Sequence, residues 1–114
     1  AAVAAITAFL EARAPVKPMP ALPVAGDAHR GRETMRLVGC LACHNMAPYG
    51  EEPSPSADLA LQRRDTNEHG PNLRGVATKV TPEWLFAWIK DPQAYWSETR
   101  MPNLRLSDQE AADI

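Results

Sequence analysis

The sequence lacks the features that mark several common classes of protein. No segment is apolar over the roughly 18 residues that a membrane span requires. Positive charge is not in excess, since the formal net charge is −2 and the isoelectric point is near 5.9, which argues against a nucleic-acid-binding protein. Cysteine is scarce as well, with two residues among 114. A chain of this length and composition predicts one small domain.

The two cysteines stand in the sequence Cys40-Leu41-Ala42-Cys43-His44, which is the attachment sequence for a covalently bound c-type haem. On a helical turn, positions i, i+3 and i+4 share one face. Both thiols can then reach the two vinyl groups of one porphyrin while the imidazole stands beneath the metal. The sequence therefore predicts one haem c, covalent through Cys40 and Cys43, with His44 as an iron ligand.

Three other uses of a cysteine pair remain as alternatives. A thioredoxin-like redox pair usually follows a β-strand, and no Val/Ile-rich strand precedes Cys40. A zinc site would need a further ligand from His29 or His69, which the spacing supports only weakly. A structural disulfide would leave His44 unexplained. Haem is the favoured interpretation, and a porphyrin would also fill the core of a domain that buries only about two thirds of its unfolded surface.

Prolines and capping residues predict three parts of the chain. Residues 1–13 are Ala-rich with Val3, Ile6, Phe9 and Leu10 at helical spacing, which predicts an amphipathic helix. Residues 14–25 carry four prolines and predict an extended, semi-rigid linker. Residues 26–114 form the predicted haem domain.

Helices dominate the predicted secondary structure of residues 26–114. Asp27 is a candidate N-cap for a helix from about Ala28 to Val38, which leads into the haem motif. The sequence Thr81-Pro82-Glu83 begins another helix, which ends at Asp91-Pro92. A further helix begins at Ser107 and is cut short at Ile114. Residues 57–64 are expected to form a short surface helix.

The order of these motifs resembles that of the class I cytochromes c. The resemblance covers Gly26 to Ile114 and departs from the family pattern over residues 45–69. It rests on the following residues: Gly26-Asp27, Gly31, Met35, the Cys40–His44 motif, Gly70-Pro71-Asn72-Leu73, Trp88-Ile89 with Asp91-Pro92 and Tyr95, and Thr99 with Met101-Pro102. The fold it implies is all-α, a small helical domain wrapped around one haem, here with an extra N-terminal helix and a Pro-rich linker.

Residue by residue, the resemblance implies a site in which His44 is the proximal ligand and Met101 the distal ligand. The Pro71 carbonyl would accept the second ring N–H of His44 and fix its tautomer. Leu73 would pack on the porphyrin, Thr99 would lie near a propionate, and Trp88 would lie near the Met101 sulfur. Iron held by imidazole and thioether favours the ferrous state. His69 and, less favourably, His29 are the rival ligands.

The resemblance implies that the protein is a carrier or relay domain for one electron at a time and not an enzyme. It would act outside the cytoplasm in a respiratory-type electron-transport chain. Its partners would be other redox proteins or neighbouring haem domains. The alternative is a haem with an open distal position that serves a peroxidase or binds a gas ligand. Because Ala4-Ala5-Ile6 and the residues after it look like the rest of the helix that stops at Ala112-Asp113-Ile114, residues 1–13 are interpreted as the closing helix of a preceding haem domain. The alternative is the remnant of a membrane anchor or signal peptide.

Overall fold

The computed structural model describes residues 1–14, 18–46 and 69–114. Within those ranges the chain is helical and contains no β-strand. The α-helices are α1 (Ala2–Arg13), α2 (Ala28–Val38), α3 (Pro82–Lys90), α4 (Pro92–Tyr95) and α5 (Asp108–Asp113), and 3₁₀ turns lie at Cys40–Ala42 and Val76–Thr78. The all-α prediction is confirmed. The predicted helix at residues 57–64 and residues 15–17 of the linker lie outside the described residues.

Side-chain caps begin the main helices where the sequence predicts them. The Asp27 carboxylate accepts the Arg30 amide at 2.9 Å, and the Thr81 hydroxyl accepts the Trp84 amide at 3.3 Å. Ser107 and Glu110 form a reciprocal capping box at the start of α5. Each cap satisfies an amide that the first turn of a helix leaves without a partner.

Helices α2 and α5 cross at very close range, which joins the two ends of the domain. A Cβ atom on Gly31 would overlap the Asp113 carbonyl, and one on Gly26 would overlap the Ala112 carbonyl. The absence of a side chain at both glycines is therefore what permits the close approach. The side chain of Asp113 then receives two bonds from the Arg30 guanidinium, at 2.8 and 2.9 Å, and one from the Asp27 amide at 2.8 Å.

The buried core lies between α3 and α5 and supports the segment that carries Met101. Its buried apolar residues are Ile89, Leu106 and Ala111, and partly buried neighbours pack on them, namely Val38, Leu85, Phe86, Trp88, Met101, Leu104 and Ile114. Pro92 is the largest side chain among the fully buried residues.

Helix α1 packs none of its residues into this core. It spans Ala2–Arg13 and has no buried residue, and its four larger apolar side chains are each more than half exposed. Among the helices in the described ranges, none is both long and apolar enough to cross a membrane.

Candidate functional site

The cysteine motif occupies a 3₁₀ turn that is separated from α2 by a left-handed glycine. Gly39 ends α2 with φ 93°, a conformation that glycine adopts without steric cost. The turn at Cys40–Ala42 follows at once, and the amides of Cys43 and His44 both donate to the Cys40 carbonyl. The geometry brings the two cysteines and His44 onto one compact turn. Cys40 and Cys43 are both free thiols, and burial raises the pKa of the Cys40 thiol.

The His44 ring is oriented by a backbone carbonyl from the 69–73 segment. Nδ1 lies 2.8 Å from the Pro71 carbonyl oxygen. A carbonyl only accepts hydrogen bonds, so Nδ1 carries the proton, and the neutral form of this ring has its free lone pair on Nε2. The same segment is tied to the turn by two backbone bonds, from Gly70 to the Cys43 carbonyl at 3.0 Å and from Leu73 to the Asn45 carbonyl at 2.7 Å. This arrangement fits an imidazole that binds a metal through Nε2.

Gly70 leaves the space that the His44 ring occupies. A Cβ atom built on Gly70 would overlap the ring, with Cε1 and Nδ1 as its nearest neighbours. Any side chain there would therefore displace the imidazole. In the sequence, Gly70 is one of the residues that carry the family resemblance, but nothing in the local sequence indicates that it makes room for the His44 ring.

Met101 is held at its backbone and at its sulfur by hydrogen bonds. The Trp88 indole N–H donates to Sδ at 2.8 Å, and the Gln93 side-chain amide donates to the Met101 carbonyl at 2.9 Å. The Met101 amide donates to the Thr99 hydroxyl at 3.2 Å. The side chain is partly buried against the core. A thioether with a fixed direction is a ligand prepared for a soft or borderline metal.

Two aromatic side chains, Trp84 and Tyr95, pack around the Trp88 indole that contacts the sulfur. Trp84 stacks on Trp88 with ring centroids 5.4 Å apart and planes 9° apart. The Tyr95 ring meets both indoles edge-on, at 5.3 Å from Trp84 and 5.8 Å from Trp88. Sequence reasoning placed Trp88 near the sulfur but missed the roles of Trp84, Tyr95 and Gln93. The spacing of Trp84 and Trp88 on α3, and of Gln93 and Tyr95 on α4, is the sequence signal that could have related these residues to Met101.

The remaining predicted site residues occupy the edges of this region. Leu73 and Thr99 are both half-buried. The rival ligands are less well placed, because His69 is exposed and His29 is exposed in the first turn of α2. Among the described residues, no group of three or more His, Cys, Asp or Glu side chains could hold a metal ion.

The donor set fits a covalently attached haem. Two free thiols on one turn suit two vinyl groups, an imidazole whose Nε2 is available suits one axial position of iron, and a partly buried thioether suits the other. The partly buried apolar residues around Met101 would supply contacts to the porphyrin faces.

Comparison with known proteins identifies the family. A family model described as cytochrome c matches residues 28–114, which is most of the chain. Searches of curated proteins and of solved structures find no match. Members of the matched family carry haem c, transfer electrons in general as carriers, work with redox partners and are commonly extracytoplasmic. With the family match extending over the whole haem motif and the Met101 segment, this chain belongs to the cytochrome c family.

Proposed function

We propose that the protein carries one electron at a time through a single haem c attached at Cys40 and Cys43, with His44 and Met101 as axial ligands. The observation that carries the proposal is the orientation of His44. Its Nδ1 lies 2.8 Å from the Pro71 carbonyl oxygen, and this contact supports the proposal because it leaves Nε2 available to bind the iron. The bound haem would supply the redox couple between ferrous and ferric iron.

The chain's own residues would fix the proximal side. Pro71 holds the imidazole in one tautomer and one orientation, and a hydrogen bond at Nδ1 makes Nε2 a stronger donor. Gly70 provides room for the ring, and the bonds from Gly70 and Leu73 fix the turn relative to the 69–73 segment. A ligand held in this way keeps one geometry in both redox states, which suits electron transfer.

On the distal side, the sulfur of Met101 is the group best placed to act as a ligand. Thioether sulfur is soft and favours ferrous iron, so it raises the reduction potential. Trp88, Gln93 and Thr99 each bond to Met101 and restrain the segment that presents it. An iron with six ligands has no open position for substrate, and this makes the protein a carrier rather than an enzyme.

Thr99 and Leu73 complete the proposed contacts with the haem. The Thr99 hydroxyl accepts the Met101 amide and has its own proton available for a haem propionate. Leu73 is half-buried two residues after the proline that orients His44 and would pack on the porphyrin. We place the protein outside the cytoplasm, in a respiratory-type chain with other redox proteins or neighbouring haem domains as partners.

The test is the optical spectrum of protein that has been matured with the haem-attachment machinery. In the ferric form we expect the weak near-infrared charge-transfer band of sulfur bound to iron. Ferrous protein should give sharp bands that do not change when carbon monoxide is added. Absence of the near-infrared band together with carbon monoxide binding would replace the proposal with an open-site haem, and absence of all haem bands would overturn it.

Methionine substitution assigns the ligand. Met101→Ala should abolish the near-infrared band, lower the potential and permit carbon monoxide to bind. The matched control is Met46→Ala, because Met46 lies two residues from His44 and is 37% exposed. A Met101→Ala protein with the parent spectrum and potential would show that another group is the sixth ligand.

A further inference from the structure

The Trp88 indole, which donates to the Met101 sulfur, packs with two other aromatic side chains. We call Trp84, Trp88 and Tyr95 the aromatic cluster. Within the part of the chain that the structure describes, Trp88 is the member of this cluster that donates a hydrogen bond to Met101. Trp84 covers one face of the Trp88 indole in a near-parallel stack, and Tyr95 meets it edge-on.

The cluster restricts the direction in which the Trp88 N–H points. An indole turns about two side-chain torsions, and its N–H lies at one edge of a rigid plane. The flat contact with Trp84, at an angle of 9°, fixes the tilt of that plane. The Tyr95 ring, at 79° to the indole, opposes rotation of the indole within its own plane. The N–H is then aimed at Sδ, at 2.8 Å.

A hydrogen bond at the sulfur changes what the sulfur can give to iron. Thioether sulfur has two lone pairs, and a donor N–H on one of them withdraws electron density from the other. Ferric iron gains more from a strong donor than ferrous iron does, so the N–H contact favours the reduced state. Hydrogen bonds to ligands are one of the means by which a protein sets the potential of its iron.

Tyr95 is positioned to influence this contact from the protein surface. It is the last residue of α4, its side chain is 64% exposed, and its ring reaches both indoles. The same short helix contributes Gln93, which donates to the Met101 carbonyl. One helix of four residues therefore supports both the backbone and, through Trp88, the sulfur of Met101.

From these contacts we infer that Tyr95 and Trp84 are positioning residues that raise the reduction potential by holding the Trp88 N–H on the Met101 sulfur. This inference rests on the proposed role of Met101 as the sixth ligand. Neither residue needs to touch the haem, because each acts through the indole.

The experiment compares Tyr95→Ala with Tyr95→Phe in haem-loaded protein. Tyr95→Ala should release the indole and reduce the ferrous-to-ferric ratio at a fixed ambient potential by about threefold to tenfold, the range expected for one hydrogen bond. It should also shift the near-infrared band and speed solvent exchange of the Trp88 indole N–H, followed by ¹H–¹⁵N NMR in the ferrous state. Tyr95→Phe keeps the ring edge and should retain the parent values.

Two further variants keep the test decisive. Trp84→Leu removes the flat contact from the other side and should change the same three readouts in the same direction. Trp96→Ala is the matched control, because Trp96 follows Tyr95 directly and is 58% exposed, and it should change none of them. The inference is overturned if Tyr95→Ala leaves all three readouts at parent values, if Tyr95→Phe behaves like Tyr95→Ala, or if Trp96→Ala gives the same shifts. Retention of the near-infrared band in Met101→Ala would instead refute the ligand assignment itself.

Discussion

The main-chain carbonyl of Asp113 lies against Gly31, closer than any side chain on residue 31 would permit. In an exposed helix interior, replacing glycine with alanine stabilises the helix by about 1 kcal/mol. Here Gly31→Ala should have the opposite sign and lower the free energy of unfolding by about 1–3 kcal/mol, because α2 and α5 must separate.

Urea unfolding of haem-loaded protein measures this change. The control is Glu33→Ala, an exposed change on the same helix that should remain within about 0.5 kcal/mol of the parent. A Gly31→Ala protein as stable as the parent would mean that the two helices do not cross at this distance in solution.

The Asp113 carboxylate should make stability depend on acid pH. Its hydrogen bonds from the Arg30 guanidinium, followed by those from Gln109 and the Asp27 amide, lower its pKa from 3.8 to about 2. A group whose folded pKa is depressed contributes stability that is complete above the unfolded pKa and is lost as pH falls through the folded value. Stability from this residue should therefore be present above about pH 4 and disappear towards pH 2.

Substitution identifies the carboxylate responsible for that acid transition. Asp113→Asn should be less stable than the parent at pH 6 and should show a shallower loss of stability between pH 4 and pH 2. Arg30→Gln removes the main cause of the lowered pKa and should reduce the slope in the same interval. Thermal unfolding at a series of pH values gives both slopes, and identical slopes for parent and Asp113→Asn would contradict the assignment.

Gly70→Ala should disturb the proximal ligand more than it disturbs the fold. The added methyl group would occupy the space of the His44 ring and break the bond from Nδ1 to Pro71. We expect loss of the parent ferric spectrum and a lower yield of attached haem. The control is Gly75→Ala, which strains a residue at φ 94° but meets only Thr78 Oγ1, at 3.8 Å. It should lower stability and keep the parent spectrum, and equal spectra for the two variants would remove Gly70 from this role.

Lys90 should stabilise the fold more through its hydrogen bond to the Leu106 carbonyl than through its ion pair with Asp108. Its ammonium group donates to the carbonyl of Leu106, a residue that is 5% exposed, at 2.7 Å and pairs with Asp108 at 2.9 Å. Lys90→Met leaves the Leu106 carbonyl without this donor and should cost about 1–3 kcal/mol. Asp108→Asn removes only the exposed pair and should cost about 0–1 kcal/mol. Chemical denaturation measures the free energy of unfolding of both variants. A larger loss for Asp108→Asn than for Lys90→Met would contradict this prediction.

The helix starts were predictable because each depends on a residue that acts locally. Asp27, Thr81 and Ser107 accept amides within three residues of themselves, and such capping is encoded in short sequence patterns. The helix Pro92–Tyr95 was not predicted, because Asp91-Pro92 was interpreted only as the end of α3. In the structure Asp91 also caps a new helix, and Pro92 occupies its first turn.

Long-range polar contacts were beyond what the sequence alone could predict. The hydrogen bond from Arg30 to Asp113 joins residues 83 positions apart. In the sequence, nothing distinguishes Asp113 from other polar residues near the end of a helix. Gln93 and Tyr95 likewise take their roles from the way α4 folds back towards Met101. The motif residues Cys40, Cys43 and His44 could be predicted because their chemistry requires fixed sequence spacing.

The contact between Arg30 and Asp113 closes a long loop, and the free energy of closing that loop depends on its length. Closing a loop costs entropy that rises only by about 0.6 kcal/mol for each doubling of its length. Residues 45–69, where the sequence departs from the family pattern, lie within the loop that this contact closes. Additional residues there would add little to the free energy of closure, so the contact between Arg30 and Asp113 depends only weakly on the length of that segment.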